Sequence, residues 1–247
     1  MSPEPQPAIS RVAVATHVPP EAADARLEHP VTSLLLSFTG GFVDTFGFVA
    51  LFGLFTSHVT GNFVLIGAAI ARQGEPSVVG KLLALPMFVA TVAVARWLQL
   101  RRERRGLGTA TPMLLGQLGL LVAFMLAGVA AGPFEHAGQL ATILVGLVGV
   151  TTMAVQNTAA RSAFVRLSPS TVMTGNVTQV AMDLVDLAAR APGSGPAAAR
   201  VRKMWPPVAA FALGALGGGL GYGMFGFWAL LAPCAALGAL LWRLNQD

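Results

Sequence analysis

Eight apolar segments follow one another along this 247-residue chain, at residues 31–55, 59–71, 82–100, 112–131, 139–160, 170–187, 206–222 and 225–242. Setting aside the second and the sixth, six of them run for about 17–25 residues, the length a helix needs to cross a bilayer core at 1.5 Å per residue. Lipid offers no partner for a free N–H or C=O, so a chain of this kind must satisfy its backbone within helices. The expected fold class is therefore all-α, a polytopic membrane protein. Charge supports the same conclusion. Only 11% of the residues are charged and 54% are hydrophobic, too few charges to coat a soluble globule of this size.

Two of the eight segments are unlike the rest. The second is only about 13 residues long, and the sixth carries Asp183 and Asp186 towards its end, which leaves a similarly short apolar core. Both contain the same tripeptide, Thr60-Gly61-Asn62 in one and Thr174-Gly175-Asn176 in the other. Each follows a span with a polar interruption, Asp44 in the first case and Gln156-Asn157 in the second, and each precedes two further apolar stretches. The chain thus reads as a duplication with an offset of 114 residues.

Counting basic residues decides between two topologies. If all eight segments span from a cytoplasmic N-terminus, nine basic residues fall inside and six outside, with the cluster Arg101, Arg102, Arg104 and Arg105 outside. If both Thr-Gly-Asn segments dip in and return, thirteen lie inside and only Arg72 and Lys81 outside. The second arrangement obeys the positive-inside rule far better. It predicts six transmembrane helices plus two re-entrant segments, both termini cytoplasmic. Three spans per repeat is an odd number, so the halves insert in opposite orientations, an inverted 3+3 repeat. The divisions are a disordered cytoplasmic tail over residues 1–30, a first membrane repeat over 31–132 and a second over 139–243.

The candidate binding residues for a solute or ion are Asp44, Thr60, Gly61, Asn62, Gln156, Asn157, Thr174, Gly175 and Asn176. A helix starting at each Thr-Gly-Asn, with Thr and Asn as caps, would aim unpaired N–H groups into the protein interior and favour an anion, a carbonyl or a water. The competing reading is that Gly61 and Gly175 allow close packing while Asn62 and Asn176 bond between helices. Asp44 lies deep in the first span, with Gly40, Gly41 and Gly47 around it and no basic residue nearby in sequence. A carboxylate there is costly unless it is protonated, paired or hydrated. It is a candidate proton- or cation-coupling residue, against the plainer role of an internal salt bridge or cap. His58 and Asp183 are further candidates for coupling. Asp183 and Asp186 share a helical face near the basic stretch 190–203, where ion pairing is the simpler role.

The pattern Gly41-Phe42-Val43-Asp44, Phe55 through Thr60-Gly61-Asn62, Gln156-Asn157 with Arg161, and Met173-Thr174-Gly175-Asn176 resembles the YoaK family of bacterial membrane proteins. The likeness covers about residues 33 to 243, although His58-Val59 stands where that family usually has a methionine before the first threonine. The resemblance implies a multi-pass protein of the bacterial inner membrane with about six spans, and it carries no established substrate.

Several function classes are disfavoured by residue type. The arginine cluster lies between hydrophobic stretches, which argues for topology and against nucleic acid. Cys234 is the single cysteine, so there is no intrachain disulfide and no Cys-based metal site. No cofactor is called for. An intramembrane enzyme is disfavoured because Ser57 and His58 are adjacent and point apart on regular backbone, and no Gly-x-Ser-x-Gly or zinc pattern occurs. The leading expectation is a small-solute transporter or channel, with a receptor or assembly scaffold as the alternative. The glycines between Gly214 and Gly223 point to tight packing within the protein or to a homo-oligomer, and Trp97, Trp205 and Trp242 near span ends suit interfacial anchors.

Overall fold

A computed structural model describes residues 27–71 and 77–246. Most of the predicted N-terminal tail, together with Arg72 and Glu75, lies outside them. The described residues form eight α-helices: α1 Pro30–Ala50, α2 Gly61–Ala71, α3 Val79–Glu103, α4 Ala110–Ala131, α5 Leu140–Ala160, α6 Thr174–Ala188, α7 Ala197–Phe225 and α8 Leu231–Leu244. A 3-10 segment, Gly226–Leu230, joins the last two. No strand occurs among the described residues.

Among the described residues, five helical stretches are long and apolar enough to cross a membrane, and the last of these, 48 residues from Ala197 to Leu244, runs through both α7 and α8. The two Thr-Gly-Asn helices are shorter. At 11 and 15 residues they reach about 17 and 22 Å, well under the roughly 30 Å hydrocarbon core. α7 begins earlier than the apolar pattern suggested, so Arg200, Arg202 and Lys203 stand on its opening turns instead of in a loop. The run Ala197-Ala198-Ala199, directly after Pro196, accounts for the early start, since alanine is the strongest helix former and proline sits well just before a helix. The break after α7 falls at Gly226, whose φ of 55° is a conformation open to glycine.

α1 occupies the centre. It begins at Pro30, with the His29 ring accepting from the Val31 N–H, and buries much of its length against α5, α7 and α8. Its closest neighbour is α7, and small residues make that approach feasible. A side chain on Gly41 would collide with the Phe211 carbonyl, one on Gly214 with the Phe38 carbonyl, and one on Gly218 with that of Phe42. Gly214 and Gly218 are therefore committed inside this chain, which removes them from the expected oligomer contact.

Helix pairing follows the 114-residue offset, under which α1 to α4 correspond to α5 to α8. The third helix of each half packs on the first helix of the other, α7 on α1 and α3 on α5, and α4 packs on α8. One end of the core is filled by aromatic rings around Phe46, which meets Phe124, Tyr222 and Phe227 edge-on at 5.2–6.0 Å. α3 and α7 carry much of the exposed apolar surface, including Val94, Leu98, Leu213, Leu216 and Leu220. Trp97, Trp205 and Trp242 are likewise exposed.

Candidate functional site: two loops meeting on one amide

The segments joining α1 to α2 and α5 to α6 carry the polar residues. In the first, Asp44 of α1 acts as a post around which the chain folds. Its Oδ1 accepts from the Thr56 N–H at 2.8 Å, the Ser57 N–H at 2.6 Å, the His58 N–H at 3.4 Å and the Thr56 hydroxyl at 3.2 Å. Its Oδ2 lies 2.5 Å from His58 Nδ1, the contact of a carboxylate acceptor with a ring N–H. A paired, capping carboxylate is one of the two roles left open by the sequence. The partner is fourteen residues away and reaches back because the chain reverses direction between α1 and α2. Asp44 is buried, while the His58 side chain remains 34% exposed. His58 also borders Phe55 and Phe211.

In the second half, Gln156 and Asn157 of α5 do the equivalent work. Gln156 Nε2 donates to the Leu36 carbonyl at 2.8 Å and to the Ser170 hydroxyl at 3.2 Å, and Gln156 Oε1 accepts from Gln117 of α4 at 2.6 Å. Asn157 Oδ1 accepts from the Thr171 hydroxyl at 2.7 Å, and its Nδ2 donates to Ser57 Oγ at 3.2 Å. Ser57 and Thr171 are equivalent positions under the 114-residue offset. One amide thus joins the tips of both loops.

The asparagines of the two tripeptides also correspond. Asn62 Nδ2 donates to the Phe55 carbonyl, and Asn176 Nδ2 donates to the Pro169 carbonyl, seven residues upstream in both cases. Asn62 Oδ1 accepts in addition from the Phe55 N–H; the second half lacks this bond because Pro169 has no N–H to give. The expectation of Asn as a helix cap is therefore corrected: each holds the loop before its helix. The carbonyls of Phe52 and Arg166, again at equivalent positions, each accept from a lysine early in the next long helix, Lys81 and Lys203.

The remaining parts of the tripeptides are more open. Both helices start at the motif, as expected. Thr60, Thr174 and Gly175 are exposed, and Gly175 has open space where a side chain would lie. Gly61 faces the Phe55 ring. The glycines that admit the loops lie instead on the central helices. A side chain on Gly47 or Gly149 would press on the Thr56 methyl, and one on Gly40 on the Ser170 carbonyl and Gln156. Asp183 is separate from this site. It is fully buried against Arg200 of α7, whose Nε and terminal nitrogen both reach the carboxylate, with Gln179 donating as well. It serves as an ion pair between α6 and α7.

Sequence reasoning missed Thr56, Ser170, Thr171 and Gln117, and dismissed Ser57 along with an unlikely dyad. Ser57 and Thr171 align under the offset, three positions before each tripeptide, and the signal in that alignment is that both are hydroxyl residues. A lone amide in an apolar span, as with Gln117, was the other available signal.

Apolar helices of spanning length, wrapped around a buried polar interior and showing leucine, valine and tryptophan outward, define a polytopic helical membrane protein. The chain belongs to the family described as "Protein of unknown function (DUF1275)", whose pattern matches residues 32–242. It is 33% identical over 150 residues to the UPF0700 transmembrane protein YoaK of Bacillus subtilis (strain 168), an alignment covering 61% of this chain. The match spans 64% of that relative, a little under two thirds of its length. The family resemblance read from the motifs is thus confirmed. No solved structure matches the chain.

Proposed function

We propose that this protein is a transporter or channel for a small polar solute or ion, built as two oppositely inserted halves whose loops meet at Asn157 within the bilayer. The observation that carries this reading is the pair of bonds from Asn157 to Ser57 and Thr171, two equivalent hydroxyl positions on one amide. The exchange of partners between halves, α1 with α7 and α5 with α3, supports an inverted repeat, the architecture in which solute sites lie at the repeat interface. Irregular backbone at membrane depth persists where protein or a wet cavity covers it, and these loops are covered by Gly40, Gly47 and Gly149.

The Asp44–His58 pair is the coupling element of this mechanism. With the proton on His58 Nδ1, the carboxylate keeps the charge that holds Thr56, Ser57 and His58. A second proton entering at His58 Nε2, with the Nδ1 proton passing to Asp44, removes that charge and weakens those bonds. The first loop is then released from Asn157, so protonation and opening of the central contact become linked. His58, partly exposed, is the entry point for that proton. Ser57 and His58 turn to different partners, which supports moving a solute over converting one. Both termini and the arginine cluster lie on the cytoplasmic side of the bacterial inner membrane.

Purified protein in liposomes, screened with ions, weak acids, amines and metabolites under an imposed proton gradient, tests this. Gradient-driven uptake is expected for at least one class, and Asp44→Asn should abolish the coupling. Uptake that stays proton-coupled in Asp44→Asn would remove that role, and a ligand that raises thermal stability without flux would favour a receptor.

A further inference from the structure

Consecutive helices usually pack on one another, but α3 and α4 both lie on α5 and scarcely touch. Between them is a cleft of about 590 Å³. Its walls are apolar, with Val94, Leu98, Met113 and Val155 among them, and Arg101, Arg102 and Arg105 stand at one end. The arginines are poised and under-used. Arg101 stacks over the Trp97 ring at 3.5 Å, and Arg102 bonds the Gly108 carbonyl through Nε alone. The neighbouring acid, Glu103, is taken by Arg96 at 2.9 Å, so it leaves the cluster's charge intact.

A second, independent observation comes from Gln99, which lines the same cleft and is 2% exposed. Its Nε2 donates to Ser162 Oγ at 2.7 Å and to Met113 Sδ, but its Oε1 has no hydrogen-bond partner. A buried acceptor left unpaired is costly. Gln99 stands two and three positions before Arg101 and Arg102 on α3 and lines the cleft with them.

We propose that this cleft binds a single-chain anionic glycerophospholipid from the surrounding bilayer. The phosphate lies on the arginines, the acyl chain fills the cleft between α3 and α4, and the free hydroxyl of the glycerol donates to Gln99 Oε1. The order of groups along such a lipid, with phosphate first, hydroxyl next and chain last, is the order of the protein groups that meet it. A diacyl lipid has an ester in place of that hydroxyl and cannot donate there. A basic cluster at a helix end draws anionic headgroups by charge alone; the unpaired Gln99 oxygen adds the preference for one chain.

The test is lipid titration of the purified full chain in neutral detergent, read by native mass spectrometry. The probes are palmitoyl lysophosphatidylglycerol, its diacyl counterpart, palmitoyl lysophosphatidylcholine and glycerol 3-phosphate. The anionic single-chain lipid should bind with the highest affinity at one site. Replacing each arginine by Gln should weaken it about fivefold, and replacing all three about a hundredfold. Gly116 lines the cleft and has open space around it, so Gly116→Trp should fold normally and block binding. Gln99→Met should erase the advantage over the diacyl lipid while keeping the preference for anionic headgroups. Equal binding of the neutral or the diacyl lipid by the unaltered chain, binding of glycerol 3-phosphate alone at similar strength, or indifference to Gly116→Trp would each overturn the proposal.

Discussion

Asn157 and Ser57 are a hundred residues apart in sequence and 3.2 Å apart in space, the amide Nδ2 donating to the hydroxyl. The same amide accepts from Thr171. The contact spans both halves of the chain, and removing it should loosen two loops at once. Asn157→Ala is expected to lower stability by about 1–3 kcal/mol, the cost of its bonds to Ser57, Thr171 and the Met153 carbonyl and of the polar groups they leave behind. Thermal unfolding in detergent measures it; a change within error of zero would mean that the loops are held without Asn157.

The Asp44–His58 pair should be energetically coupled. His58→Val installs the residue that the second half carries at the equivalent position, Val172, and strips the pair of its proton partner while leaving the backbone bonds to Asp44 in place. In a double-mutant cycle with Asp44→Asn, a coupling energy of about 1–2 kcal/mol is expected, reduced from that of a fully buried pair by the exposure of His58. Additive effects would show that the two side chains act separately.

Much of this architecture was legible in the sequence, and the part that was not has a physical explanation. Apolar runs located the long helices because lipid demands continuous apolar surface of fixed length. The repeated Thr-Gly-Asn located the two short helices because the same loop closure recurs in both halves. For Asp44 the sequence leaves a coupling role and an internal salt bridge or cap both open, because its partners are mainly backbone N–H groups brought back by a chain reversal that residue spacing does not show. Asn62 and Asn176 were read as caps because Asn favours helix starts. Their targets, the carbonyls of Phe55 and Pro169, depend on the path of the loop, which composition does not encode. Gln99 is less visible than Gln117, since it stands at the polar end of its span beside Arg101 and Arg102, where an amide is unexceptional.

The crossing of α1 and α7 should be intolerant of added volume. Gly41→Ala and Gly218→Ala each place a methyl against a backbone carbonyl, which cannot swing aside as a side chain tip can. Each is expected to cost about 1–3 kcal/mol or to displace the helices. Gly223→Ala, on the same helix but with open space around it, should be close to neutral. Equal effects at the three positions would contradict the close approach.

The central claim is that two equivalent halves insert in opposite senses, with the short helices dipping in and returning. In a Cys234→Ala background, single cysteines at positions 10 and 75, on either side of α1 and α2, distinguish this most directly, read by a membrane-impermeant thiol reagent on intact cells. With a re-entrant α2 only α1 crosses between them, so Glu75→Cys labels from outside and Ser10→Cys labels only after the membrane is opened. Labelling of both from the same side would mean that α2 spans fully and would contradict the inverted arrangement on which the proposed function rests.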